Sequence, residues 1–254
     1  MSKIETGRQT PTDAEVRAWC HATDAESAVD ALVASVHSLE MRHREWQRVL
    51  RAGIVAAQQS VAAEETRTEV LRLFQPTMVP GLLQTPEYAR TRLAQSARVW
   101  GKKDDLDDGV AARMARQAVL YQPARRFHFV VTESTLMNAL CSPEAMLVQI
   151  DRLRSLAMLP NVRLGVIPFE TMFAIAPLHG FRLMDDRLVA VETFSAELHL
   201  TQPQEIAHFM KVFETMALDA DYDRRADAHL VRAAKTFERR RNRASREQLE
   251  NYLE

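Results

Sequence analysis

Six residues of this chain could do polar chemistry together: Gln84, Arg113, Arg116, Gln117, Glu133 and Glu192. Arg113, Arg116 and Gln117 sit at helical spacing, while Glu133 and Glu192 each follow a β-branched run that reads as a strand. Two carboxylates at one sheet rim, faced by arginines from a helix, could bind a polar ligand or act as general acid and base. The same residues could equally form an internal ion-pair network that pins helix to sheet. Nothing else in the chain suggests catalysis. There is no GxxxxGK phosphate loop, no GxSxG and no HExxH. His37 and His43 are spaced so as not to share a metal-binding helix face, and no cofactor or metal site is expected.

The elements that must position this cluster begin with the stretch Pro76 to Arg90, PTMVPGLLQTPEYAR. Pro76 and Pro80 favour an extended run over 74–79, and Pro80-Gly81 reads as a turn with a position open to φ > 0. Thr85-Pro86-Glu87 spells an N-cap, a proline at the first helical position and an acid in the first turn. The neutral, leucine-bearing turn has the character of an apolar interface anchor, so Pro80, Gly81, Leu82, Leu83, Gln84 and Tyr88 are expected to receive a partner.

Upstream, Thr12-x-x-Glu15 and Thr23-x-x-Glu26 are capping boxes. The second should open a long helix carrying Val29, Leu32, Val33, Val36, Leu39, Trp46 and Leu50 on one face. Gly53 should break it before a further helix from Ala56 to Arg67. This pair could brace the next domain or form the seam of a homodimer. Downstream, Asp107 or Asp108 should cap a helix, 127–132 should be a strand, and Ser142-Pro143-Glu144 should start another helix. A strand over 162–169, a hairpin turning at Asp185-Asp186, a short strand at 198–200 and a helix capped by Thr201-x-x-Gln204 complete the pattern. The fold class is α+β and helix-rich, with long helices followed by a small mixed β-sheet covered by helices.

With 254 residues and 46% hydrophobic content the chain can bury a substantial core. Its net charge of -1 means that any nucleic-acid contact must be local. The one strongly basic stretch is the tail, where Arg239, Arg240, Arg241, Arg243 and Arg246 could hold phosphates or form a solvated face. Two distant cysteines, Cys20 and Cys141, fit a reducing compartment, and with no signal or membrane-spanning run a cytoplasmic protein is expected.

The run VPGLLQTPEYAR, then Arg113-x-x-Arg116-Gln117, FHFVVTESTL and LPNVRLGVIPF, resembles the C-terminal domain of actinobacterial Xre-type helix-turn-helix regulators, including the WhiJ-like and antitoxin-like transcriptional regulators. The opening MSKIETGRQTP is similar to the end of such a helix-turn-helix, so the resemblance implies DNA contact by Ser2, Lys3 and Arg8, with only a remnant of the reading head at 1–22. It further implies a helical linker at 23–73, an α+β effector domain at 74–221, and a small companion protein encoded nearby. The basic helical tail at 222–254 departs from the pattern. DNA would be a partner only where a complete helix-turn-helix is made. A partner-binding module without DNA binding, or a small-molecule enzyme using Glu133 or Glu192, are the alternatives.

Overall fold

The computed structural model describes residues 4, 11–33, 36, 53–100, 105–194 and 196–253. Ser2, Lys3 and Arg8, and Leu39, Trp46 and Leu50 of the expected apolar stripe, lie outside them, whereas Val29, Leu32, Val33 and Val36 are helical as expected. The described helices are α1 (Asp13–Ala22), α2 (Ile54–Thr66), α3 (Pro86–Trp100), α4 (Leu106–Arg116), α5 (Glu133–Met137), α6 (Pro143–Ala157), α7 (Pro203–Leu218) and α8 (Asp223–Leu253). The strands are β1 (Val70–Gln75), β2 (Arg126–Thr132), β3 (Val162–Ile167), β4 (Phe181–Met184), β5 (Leu188–Glu192) and β6 (Glu197–Leu200). They form one mixed sheet in the order β3-β2-β1-β4-β5-β6. β1, β2 and β3 run parallel, and β4, β5 and β6 join antiparallel. The helix-rich α+β class is thus observed.

Both faces of the sheet are covered, which is why the strands read as nearly continuous apolar runs. On one face Leu71, Leu73, Phe127, Phe129 and Leu164 pack with Tyr88 of α3, Met146 and Ile150 of α6, and Leu230 and Phe237 of α8. On the other, Phe74, Val130, Leu183 and Val189 pack with Ile206, Phe213 and Met216 of α7. The first half of α8 is therefore core: Ala226, Leu230, Ala233 and Phe237 are all buried. Its second half continues beyond that contact.

Local signals decide most element ends. Thr12 and Glu15 form the reciprocal cap of α1, and Ser142 accepts the Ala145 N–H at the start of α6. The Asp185 turn is left-handed at φ 53°, and its carboxylate accepts the Val70 N–H at 2.8 Å, tying the hairpin to the start of β1. Four expectations differ. Thr23 closes α1, donating its hydroxyl to the Trp19 carbonyl at 2.9 Å, and the helical residues that follow at 26–33 start without a side-chain cap. Helix α7 starts at Pro203, with Gln202 at the cap and no side-chain bond from Thr201. Gly81 opens a 3₁₀ turn at ordinary negative φ, because the turn is made of successive right-handed residues. Helix α4 starts at Leu106, ahead of Asp107 and Asp108, with Asp105 at its cap.

Asp105 instead serves α2: its carboxylate accepts the Val55 N–H at 3.1 Å, at the positive end of that helix. Gly53, immediately before α2, has φ 107°, and a Cβ there would stand 2.5 Å from the Asp105 carboxylate. Gly109 of α4 faces Ile54 of α2, where a Cβ would meet the isoleucine Cγ2 at 2.4 Å. Two glycines thus set the approach of α2 to α4. Gly53→Ala is expected to cost about 1–3 kcal/mol, since it strains φ and displaces the cap together. Thermal unfolding checks this, and an unchanged midpoint contradicts it.

His128 of β2 lies edge-on to Phe213, with its Nε2 2.9 Å from the Tyr222 hydroxyl. Burial, aided by Arg163 and Arg72, pushes its pKa down to about 4. The folded chain thus holds the ring neutral, while the unfolded chain protonates it near the ordinary 6.5. The stability this represents is intact above that value and is lost as pH falls from there through about 4. Urea titrations along that window should show a steady decline, and His128→Gln should flatten it. An equal decline in the variant would assign the effect to other groups.

Candidate functional site

The sheet face that is apolar under α6 and α8 turns polar under α2 and α4. Alternation along β4, β5 and β6 places Arg182, Glu192, Glu197 and His199 on that face, since Arg182 pairs in register with Ala190, Ala190 with His199, and Glu192 with Glu197. Arginines of α4 come down on it from above. Arg116, with only 6% of its side chain exposed, makes a two-pronged bond to Glu65 of α2, at 2.8 Å from Nε and 2.6 Å from Nη2. Its Nη1 donates to Gln58 at 2.6 Å. Arg113 donates to the same Gln58 oxygen at 3.0 Å and to Gln84 Oε1 at 2.7 Å. Arg182 and Glu197 form a buried pair beneath, with His199 3.0 Å from the same carboxylate.

The electrostatics follow from this enclosure. Burial, with Arg116 alongside, pushes Arg113 down to about 9, opposed by Glu192 and Glu65. Arg113 thus remains charged near neutrality. Burial works against the Glu197 carboxylate, yet Arg182 and His199 hold it below its ordinary range.

The central turn meets this cluster through its polar atoms. Gln84 donates to the Val79 carbonyl at 2.8 Å, and Gln117 donates to the Gln84 carbonyl at 2.6 Å. Gln149 of α6, wholly buried, accepts from the Thr85 N–H at 2.7 Å and donates to the Leu83 carbonyl at 2.8 Å. The Tyr88 hydroxyl accepts the Val79 N–H at 3.1 Å. Irregular backbone can be buried only when its N–H and C=O groups are satisfied, and here three glutamines and a tyrosine do so. The consequence for the expected partner contact is direct. Pro80, Leu82, Leu83, Gln84 and Tyr88 are buried and Gly81 is half-buried, so their side chains serve the chain's own core and offer no outer surface.

Gln84, Arg113, Arg116 and Gln117 are brought together as the spacing suggested, and Glu192 lies close enough for its charge to act on Arg113. Glu133 does not join them. It follows β2 and Glu192 ends β5, so both sit at one end of the sheet, but β1 and β4 intervene. Three strand spacings put them roughly 14 Å apart. Glu133 instead anchors a separate group. It is 3% exposed, accepts the Phe169 N–H at 3.1 Å, and pairs with Arg232 of α8 at 2.7 Å. His229, one turn earlier on α8, lies 3.6 Å from Glu133 and 3.0 Å from Asp221.

Sequence reasoning missed Gln58, Glu65, Gln149, Asp221, His229 and Arg232. Their only local signals are His229-x-x-Arg232 and Gln58 with Glu65, pairs at spacing that shares one helix face. Arg125 was missed as well. It donates to the Glu65, Thr66 and Thr68 carbonyls, each at 2.7 Å, and so closes the C-terminal end of α2. Arg125→Ala is expected to cost about 1–3 kcal/mol, read as a lower urea midpoint, whereas an unchanged midpoint would show those carbonyls to be hydrated instead.

Chemically, the arginine cluster is suited to holding α2, α4 and the central turn together. None of its buried side-chain atoms lacks a hydrogen bond among the described residues. Nor do three His, Cys, Asp or Glu residues stand close enough among them to hold a metal ion. Two hollows lie elsewhere. One of about 370 Å³ surrounds Arg125 and the end of α2, and an apolar one of about 240 Å³ lies between α7 and Phe181.

Residues 58–232 match the family model described as Domain of unknown function (DUF5753). The chain belongs to the DUF5753 family. No curated protein matches it. The limits of the DUF5753 match coincide with the two polar groups just described, since Gln58 is the first side chain of the arginine cluster and Arg232 is the partner of Glu133. Among the described residues of this DUF5753 chain, no helix is long and apolar enough to cross a membrane.

Proposed function

We propose that this DUF5753 chain is an antitoxin-like transcriptional regulator of the Xre type, whose α+β domain is the effector half and whose N-terminal segment belongs to a helix-turn-helix. The observation that carries the reading is the locking of α2 onto the effector domain. α2 is the helix through which the N-terminal segments enter, and Arg113, Arg116, Arg125 and Asp105 fix it from both ends and along its face. A regulator needs such a joint, so that binding at the effector half can be felt by the DNA-reading half. The self-satisfied cluster supports a coupling role over turnover, because Arg116 and Arg182 are paired with Glu65 and Glu197 and Arg113 is hydrogen-bonded to Gln58 and Gln84. In this reading the chain works in the cytoplasm and a small companion protein is its effector. That protein contacts outer surface, since the turn around Leu82 and Leu83 is occupied internally.

The test is footprinting on DNA upstream of the chain's own coding sequence, using this chain and a version extended by in-frame upstream codons. Protection of a defined site, altered when proteins encoded alongside are added, is expected. No protected site with either version, but capture of a neighbouring protein, would favour a partner-binding module without DNA binding.

A further inference from the structure

Helix α8 is amphipathic in an unusual sense. Ala226, Leu230, Ala233 and Phe237 form its buried stripe, and at 100° per residue Arg232, Lys235, Arg239 and Arg243 form a stripe on the opposite side. All four of these cationic residues are exposed. Arg232 is engaged by Glu133, whereas Lys235, Arg239 and Arg243 make no ion pair with another described residue. The carboxylates of this part of the helix lie off the stripe, and Asp227 is held by Arg154 at 2.6 Å. Successive charges at Lys235, Arg239 and Arg243 are about 6 Å apart along the axis. Arg239 and Arg243 lie past Phe237, the last buried residue of the helix, so that end of the stripe stands clear of the core contact.

We infer that this basic face of α8 binds the phosphodiester backbone of double-stranded DNA without reading its bases. A line of cationic groups spaced regularly along a helix is complementary to a regular line of phosphates, and its arginines can grip phosphate with two parallel N–H donors. A membrane surface fits less well. A helix lying in a bilayer interface needs apolar side chains beside its cations, and Leu230 and Phe237 are turned into the core. The inference rests on the regulator reading only for the choice of DNA among polyanions. It gives that regulator a second, sequence-independent hold on its site, in a molecule whose net charge of -1 supplies no general attraction.

The experiment is fluorescence anisotropy with a labelled random-sequence duplex, titrated with the full chain at several salt concentrations. A variant combining Lys235→Gln, Arg239→Gln and Arg243→Gln is measured beside it, with circular dichroism to show that it is folded. The wild-type chain should bind, with affinity falling steeply as salt rises. The variant should bind about tenfold or more weakly at low salt, with the salt slope reduced by roughly 2.7 for three lost phosphate contacts. No binding by the wild-type chain, equal binding by the folded variant, or binding to phosphatidylserine vesicles in place of duplex each overturns the inference. A duplex from the chain's own upstream region separates this from the regulator reading. If the variant still prefers that duplex over the random one, the regulator reading survives the failure of the stripe. If neither protein prefers it but the stripe effect is seen, the reverse holds.

Discussion

Replacing Glu65 with alanine is expected to destabilise the chain by about 3–5 kcal/mol, because the Arg116 guanidinium would remain buried without its counter-charge. Arg116 has 6% and Glu65 3% of its side chain exposed, so water cannot take the missing partner's place without opening the seam between α2 and α4. Gln58 cannot substitute, since its oxygen already accepts from both Arg113 and Arg116. Removing both charges with apolar residues of similar volume, as in Glu65→Leu with Arg116→Met, should restore much of the loss. A double-mutant cycle by urea denaturation measures the coupling. If Glu65→Ala falls within about 0.5 kcal/mol of wild type, as substitutions do on an open surface, the cluster is not the lock described above.

The second large effect is expected at Leu83. It is 1% exposed, packed with Val79, Leu82 and Tyr88 against β1 and α6. Leu83→Ala should cost about 2–5 kcal/mol, depending on how far the surrounding core can collapse into the space. Leu83→Asp should prevent folding, because a carboxylate there has no partner and no water. A loss of companion binding in the aspartate variant would therefore report unfolding and not a lost contact. The alanine variant, assayed where it is still folded, separates the two. It should bind a companion as the wild type does.

What could be read from the sequence divides along a physical line. Several elements announced by local chemistry were recoverable, although the caps read at Thr23, Thr201 and Asp107 or Asp108 were not. Thr12 with Glu15, Ser142 before Pro143, Thr85 before Pro86, and the Asp185 turn each show the cap or turn that their side chains dictate. β1 was not recoverable in full. VLRLFQ begins straight after a helix, with no glycine or proline between and an arginine inside it, so its first residues look like helix continued. Its strand character comes from two neighbours, β2 at one side and β4 at the other, both distant in sequence. The role of Asp105 was not legible for a similar reason, since its carboxylate caps a helix more than one element away.

The site followed the same division. Arg113, Arg116 and Gln117 were recognisable as a helical set, but their partners Gln58 and Glu65 come from a helix separated from them by β1, the central turn and α3. The pairing of Glu133 with Glu192 failed because strand order is a global property. Glu133 follows one strand and Glu192 ends another, but β1 and β4 lie between. The expected docking role of the Leu82 and Leu83 turn failed on a question of sign. A stiff apolar turn suits an interface equally whether the other surface is a partner or the chain's own α6, and only the fold decides.

The most direct test is amide hydrogen exchange at Val79 and Thr85, whose N–H groups are held by Tyr88 and Gln149. If the turn is a buried keystone, both amides should exchange only through global unfolding, with the same free energy as the core of β1 and the same sensitivity to urea. Exchange of either amide at rates typical of an open loop, insensitive to low urea, would mean that the turn leaves the core on its own and is free to meet a partner.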